Sequence, residues 1–219
     1  LGQGFFQPVH KRWEVSFFGG ASFFSDKDLF TPVEGQEEAR QVGLDAKSGW
    51  AGGFRVTENL NHHLGAELEY AFANQPAQFR NLTPGVAAAP FDQSVHKISY
   101  SFLLYPLNRF QRYRPYGSLG IGASYFQVDA GQGAALQGVD LKSRWKAAFS
   151  YGGGVKVHLR DRWGARFDFR NHVTGVPDYG LPRTAPVLAG GVIGPALRPE
   201  GRIQNWQLSA GFMYTWGER

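Results

Sequence analysis

Residues 114–126 read RPYGSLGIGASYF, and they alternate with a beat of two. Leu119, Ile121, Ala123 and Tyr125 fall on one face and Ser118, Gly120, Gly122 and Ser124 on the other, which is the side-chain period of a β-strand. A soluble strand would bury the larger apolar face and show the other to water. A face of Gly and Ser is a poor one to show to water, so the direction of this strand decides the fold.

The same beat recurs along the 219 residues, in segments 12–24, 48–57, 62–73, 95–105, 115–128, 143–159, 163–173 and 202–216. Most reach the ~9–11 residues that a tilted strand needs to cross a bilayer. The 12 prolines fall outside these segments or at their edges, as paired strands require of a residue that cannot donate to a ladder. Between the segments, long connections (25–47, 74–94, 129–142, 174–201) alternate with shorter ones (58–61, 106–114, 160–162). An even strand number with short turns at one end and long loops at the other predicts an all-β, transmembrane, up-and-down antiparallel barrel of eight strands. The predicted layout is an N-terminal periplasmic extension (1–11), the barrel (12–216) and a short tail (217–219), with both termini periplasmic and the long loops extracellular.

The apolar parity continues through Trp13, Val15 and Phe17; Phe54 and Val56; Leu68 and Tyr70; Tyr100 and Phe102; Phe149 and Tyr151; Phe167 and Phe169; Leu208 and Phe212, and it contains no charged residue. An eight-stranded barrel has room inside only for side chains that just fill it. So many rings would overfill that lumen, which predicts that the aromatic parity faces lipid and the Gly, Ser and charged parity faces inward. The tryptophans agree: Trp13, Trp163 and Trp216 fall at the turn-side rim and Trp50, Trp145 and Trp206 at the loop-side rim, as two interfacial girdles would be placed.

Composition narrows the alternatives. Zero cysteines exclude a disulfide framework, a thiolate metal site, a thiol nucleophile and a lipid-modified cysteine. The net charge is +5, but the basic residues are scattered without a basic run interleaved with aromatics, so nucleic acid is not an expected partner. The opening LGQGFFQPVHKR lacks the basic and apolar regions of a secretory signal, so any such signal is expected either to have been removed already or never to have been present.

The run LLYPLNRFQRYRPYGSLGIGASYF, a strand ending in Tyr-Pro, a turn, then Arg-Pro-Tyr leading into Gly-x-Gly-x-Ser-Tyr, resembles the middle hairpin of OmpA-like eight-stranded outer-membrane barrels. The resemblance implies location in the bacterial outer membrane of a Gram-negative envelope. The ending AGFMYTW resembles the C-terminal strand signal read by the barrel insertion machinery, through Gly211, Tyr214 and Trp216, although here the chain continues past the aromatic.

Inward parity is expected of Glu14, Arg55, Glu67, Glu69, Lys97, Arg144, Lys146, Lys156, Arg166, Asp168 and Arg170. A buried carboxylate must pair or be hydrated, which predicts a lumen network linking Glu67 and Glu69 to Arg55 and Lys97, and Asp168 to Lys156, Arg166 or Arg170. The network reads as a structural plug; the alternative is a narrow small-solute channel, whose surplus of cations would favour anions. A third reading, a lipid-modifying enzyme, would need a nucleophile set at the outer rim, where Ser94 and His96 stand without an evident third member; no catalytic residue is assigned. His62 and His63, adjacent on the chain, point apart, and neither a metal nor a cofactor is expected.

The remaining lead lies in the loops. The stretch 185–197, APVLAGGVIGPAL, offers Val187, Leu188, Val192, Ile193 and Leu197 as an apolar surface that either packs as a cap over the barrel mouth or docks a partner. The segment around Phe5 and Phe6 poses the same choice on the periplasmic side. The expected partners are outer-membrane lipid and lipopolysaccharide, the insertion machinery, and an envelope protein met through the loops or the N-terminal segment.

Overall fold

The computed structural model describes residues 11–25, 27–32, 42–80, 90–128, 141–181, 197–199 and 201–217. Every regular element among them is a strand: β1 (Trp13–Phe24), β2 (Lys27–Pro32), β3 (Val42–Ala46), β4 (Gly49–Glu58), β5 (Leu64–Asn74), β6 (Ala77–Arg80), β7 (Gln93–Leu104), β8 (Tyr113–Val128), β9 (Arg144–Arg160), β10 (Trp163–Gly175), β11 (Leu197–Pro199) and β12 (Arg202–Trp216).

Eight of them close into a barrel in the order β1-β12-β10-β9-β8-β7-β5-β4. Each neighbouring pair is antiparallel, and the seam joins the first strand to the last, from Trp13 opposite Trp216 to Phe24 opposite Asn205. The barrel strands run from 10 residues in β4 to 17 in β9. Closure leaves no barrel edge unpaired, a necessity for a sheet that spans hydrocarbon.

The opening question is answered by β8. Leu119 and Ile121 are 54% and 70% exposed, whereas Ser118 and Ser124 are buried. The smooth face is the inner one because the wall is tight there: a Cβ on Gly120 would press against the Tyr100 carbonyl and the Ser101 hydroxyl of β7. Elsewhere the outer face carries Phe17, Phe102, Phe167, Leu208 and Phe212, all exposed. Exposed rings in that number cannot face water, and they fit a wall that faces hydrocarbon.

Two sequence expectations are corrected. The inner face is not confined to small and charged residues: Phe18, Leu103, Tyr116 and Met213 are buried on it. Their volumes fill gaps between charged groups, as the Phe18 ring does 3.7 Å beneath the Arg55 guanidinium. Nor are the long connections plain loops. Segments β2 and β3 from the first, β6 from the second and β11 from the fourth form a separate sheet in the order β11-β2-β3-β6. These strands of 3 to 6 residues are too short for a two-beat to stand out, and two end in proline; Pro199 sits on edge strand β11, where a missing donor costs least. The sheet ties three of the four long connections together at one end of the barrel.

Candidate functional site

Inside the barrel, ten charged side chains are 0–2% exposed: Arg55, Lys97, Arg114, Lys156, Arg166 and Arg170 against Glu14, Glu67, Glu69 and Asp168. Register places them. Arg55 stands opposite Glu69 across β4 and β5, and Arg166 opposite Lys156 across β10 and β9. From there the long side chains reach across the lumen. Arg166 donates to Glu67 (2.5 and 3.1 Å), to Asp168 (3.1 Å) and to the Tyr116 hydroxyl (2.8 Å), and lies 3.5 Å from Glu14. Arg170 donates to Glu67 at 2.5 Å and lies 3.2 Å from Glu69. Arg55 donates to Glu69, to Asp168 (3.0 Å) and to Ser209 (3.3 Å). Lys156 joins Glu14 (2.8 Å) and the Tyr105 hydroxyl (3.0 Å), Thr57 donates to Glu67 (2.6 Å), and Tyr116 donates to Asp168.

Each carboxylate thus meets at least one cation, and the bidentate geometry of arginine suits the shared carboxylates. Taking an ion out of water costs several kcal/mol, and only such pairing with further hydrogen bonds offsets it. What results is a salt-bridged cross-brace that fills the middle of the lumen.

Some assigned partners differ from the expectation. Lys97 does not pair with Glu67 or Glu69; its amine donates to the amide oxygens of Asn205 (3.0 Å) and Gln207 (2.8 Å) on the far wall. Arginines of β10 and β4 already surround both carboxylates, so the shorter amine bonds neutral oxygens. Lys146 stays out of the network, half-buried towards the loop end, and Arg144 pairs instead with Asp178 beyond β10. Arg114, read from the sequence as part of a turn, takes an inner position. It donates to Asn59 (2.9 Å) and to the His62 carbonyl (3.0 Å) and lies over the Tyr105 ring (3.5 Å). The signal was present: Arg114 and Tyr116 share the parity of Ser118 and Gly120, and Pro115 between them masked it. Among the described residues, six buried cations against four carboxylates leave an excess of two positive charges rather than three.

At the loop end the lumen changes character. Phe79, Phe91, Phe126, Val176, Tyr179 and Ile203 belong to one buried apolar cluster. Tyr179 is fully buried, edge-on to Phe79 and Phe91, with its hydroxyl donating to Gln93 (2.5 Å). Burial pushes its phenol well above the ordinary tyrosine value. Beside it, partial burial raises the Asp178 carboxyl, but the hydrogen bond and charge of Arg144, with Lys146 and the Gly180 N–H, outweigh this and hold it below its ordinary value. The sequence pointed to a cap over the mouth from the apolar stretch 185–197, but not to this set of residues, whose members come from five separate segments.

Outside, Trp13 faces Trp216 across the seam and Trp163 faces Tyr214, placing three indoles on adjacent strands at the turn end. Trp50 packs with Phe72, Trp145 with Tyr125 and Trp206 with Phe169 at the loop end. Tyr214 and Trp216 stack outward (6.2 Å), while Gly211 lies inward where a Cβ would press on the Phe17 carbonyl. His96 bonds Tyr70 (2.8 Å) and Gln127 (3.1 Å) and, among the described residues, does not bond Ser94. His63 bonds the Tyr105 carbonyl, and among the described residues no group of His, Cys, Asp and Glu has the spacing of a metal site. Val187, Leu188, Val192 and Ile193 lie outside the described residues, as do Phe5 and Phe6; Leu197 lies in β11 opposite Pro32.

Comparison with known proteins adds three findings. The model of the outer membrane protein beta-barrel domain matches residues 11–215. No curated protein sequence matches the chain. Among solved structures, the chain is similar to the outer membrane protein OprG from Pseudomonas aeruginosa, with a TM-score of 0.59 and 15% identity over 95% of this chain and 99% of that one. It is similar too to Neisserial surface protein A (0.55, 13%, covering 93% and 97%) and to the outer membrane protein AlkL solved in lipid bilayers (0.55, 15%, covering 96% and 94%). At such identities the likeness is one of fold.

Proposed function

The chain belongs to the outer membrane protein beta-barrel family, and from that premise we propose that it serves the bacterial outer membrane as a structural and binding module that acts through its loop end. The reading places that end outside the cell and both termini in the periplasm. One observation carries it: the lumen is filled by side chains from the Arg114 layer, through the ion network, to the apolar cluster around Tyr179. A plugged barrel leaves its ends and its lipid-facing wall as working surfaces. Its partners are then outer-leaflet lipid and lipopolysaccharide along the wall, the insertion machinery at the last strand, and an envelope protein at the loops. Deleting residues 185–197 tests the last of these: every co-purifying partner remaining bound would refute docking by that stretch.

Planar-bilayer recording tests the plug. The wild-type barrel is expected to insert without discrete openings, and frequent, strongly cation-selective openings would overturn the reading. The second reading, a narrow conduit favouring anions, draws on the two buried cations in excess; steady anion-selective openings would favour it. The third, lipid modification at Ser94 and His96, predicts deacylation or acyl transfer by the purified barrel. It has less support, since the Tyr70 hydroxyl already bonds the Nδ1 of His96.

A further inference from the structure

We propose that residues 176–181 form a latched stopper seated in the loop-end mouth of the barrel, with Tyr179 as its plug and the Asp178–Arg144 ion pair as its latch. The segment leaves β10 and turns inward, burying Val176, Tyr179 and Leu181. Among the described residues, three specific bonds hold it to the rest of the chain. The Tyr179 hydroxyl donates to Gln93 (2.5 Å), the Lys142 N–H donates to the Tyr179 carbonyl (2.7 Å), and Arg144 Nε donates to Asp178 (2.8 Å).

The backbone opposes this seating. Tyr179 has φ +46° and Gly180 φ +75°. The left-handed conformation is free for glycine and costs energy for a tyrosine, and such strain persists only where surrounding bonds over-determine it. Releasing the segment would relieve the strain, so the seated state depends on its bonds. Those bonds are unequal in place: the phenol is inside, whereas the latch is outside, with Arg144 and Asp178 39% and 29% exposed. Something that binds either charged group can therefore act on the stopper without entering the barrel. Against it lies a small recess lined by Phe24, Ala46, Gln93, Phe126 and Ile203, with Tyr179 as one of its walls. The inference concerns access to that recess and holds whether or not the loops dock a partner.

Thiol labelling tests it, because the chain has no cysteine of its own. Ile203→Cys places one thiol in the recess, to be labelled in lipid nanodiscs with a charged methanethiosulfonate. Slow labelling is expected with the latch intact. Adding Asp178→Asn or Arg144→Gln should speed it about two- to fivefold, the scale of a half-exposed ion pair, and adding Tyr179→Ala should speed it at least about tenfold. The exchanged pair, Asp178→Arg with Arg144→Asp, should restore slow labelling. Heat-modifiable gel migration verifies that each variant has folded. Equal rates across the folded variants, or an exchanged pair as fast as the single variants, would overturn the proposal.

Discussion

At the scale of the residue, the lumen is governed by the cost of an unpaired charge. Arg166 meets Glu67, Asp168, Glu14 and Tyr116, so its removal takes a cation from three buried carboxylates at once. Arg166→Met is expected to destabilise the barrel by about 3–5 kcal/mol, read from denaturant unfolding in micelles or vesicles; a loss below about 1 kcal/mol would mean that the pairs contribute little. The Asp178 carboxyl offers a pH test. Its pKa is depressed in the folded protein, so the pair's contribution is present above the ordinary aspartate value and is lost as pH falls through the folded one. Carboxyl NMR should place the Asp178 midpoint below that of an exposed aspartate, and Arg144→Gln should raise it. An unchanged midpoint in the variant would separate the two groups.

At the scale of the element, β8 shows why parity is so informative. A lipid-facing charge and a lumen-facing side chain have different costs, though they are neighbours on the chain. Ile121→Arg should destabilise by about 2–4 kcal/mol if the residue sits near the bilayer midplane. Gly120→Val should block assembly for a different reason, the press of its Cβ on β7. A folded, heat-modifiable Gly120→Val barrel would contradict the tight wall described here. The same parity made the eight barrel strands legible in the sequence, to within a few residues at their ends, together with the inward course of Glu67, Glu69 and Asp168. It could not supply partners across the lumen, because those depend on the order of closure and on side-chain reach; hence Lys97 was assigned carboxylates and met amides. Nor could it supply β2, β3, β6 and β11, whose pairing brings together different connections, or the left-handed turn at Tyr179, a residue type that gives no hint of positive φ.

At the scale of the whole molecule, three zones stack along the barrel axis: the Arg114 layer, the ionic brace and the apolar cap. The outer surface is zoned along the same axis by its tryptophans. In vesicles containing brominated lipids, indole fluorescence should be quenched most by bromine near the headgroups and least by bromine deep in the chains, since the six indoles form two rims. Deep quenching would move the girdles, and with them the membrane boundaries. The excess of two cations inside belongs to this scale as well, because no single residue carries it: Lys97 and Arg114 stand at opposite ends of the brace, each bonded to neutral oxygens.

The seam between β1 and β12 has a consequence for biogenesis. The partner of the first barrel strand is the last barrel strand to be made, so a growing chain holds an unsatisfied ladder until all eight are present, and hydrocarbon does not tolerate one. Insertion must therefore wait until all eight barrel strands are available to close the seam. A messenger cut short by a single hairpin should yield no smaller barrel, only a substrate for proteases.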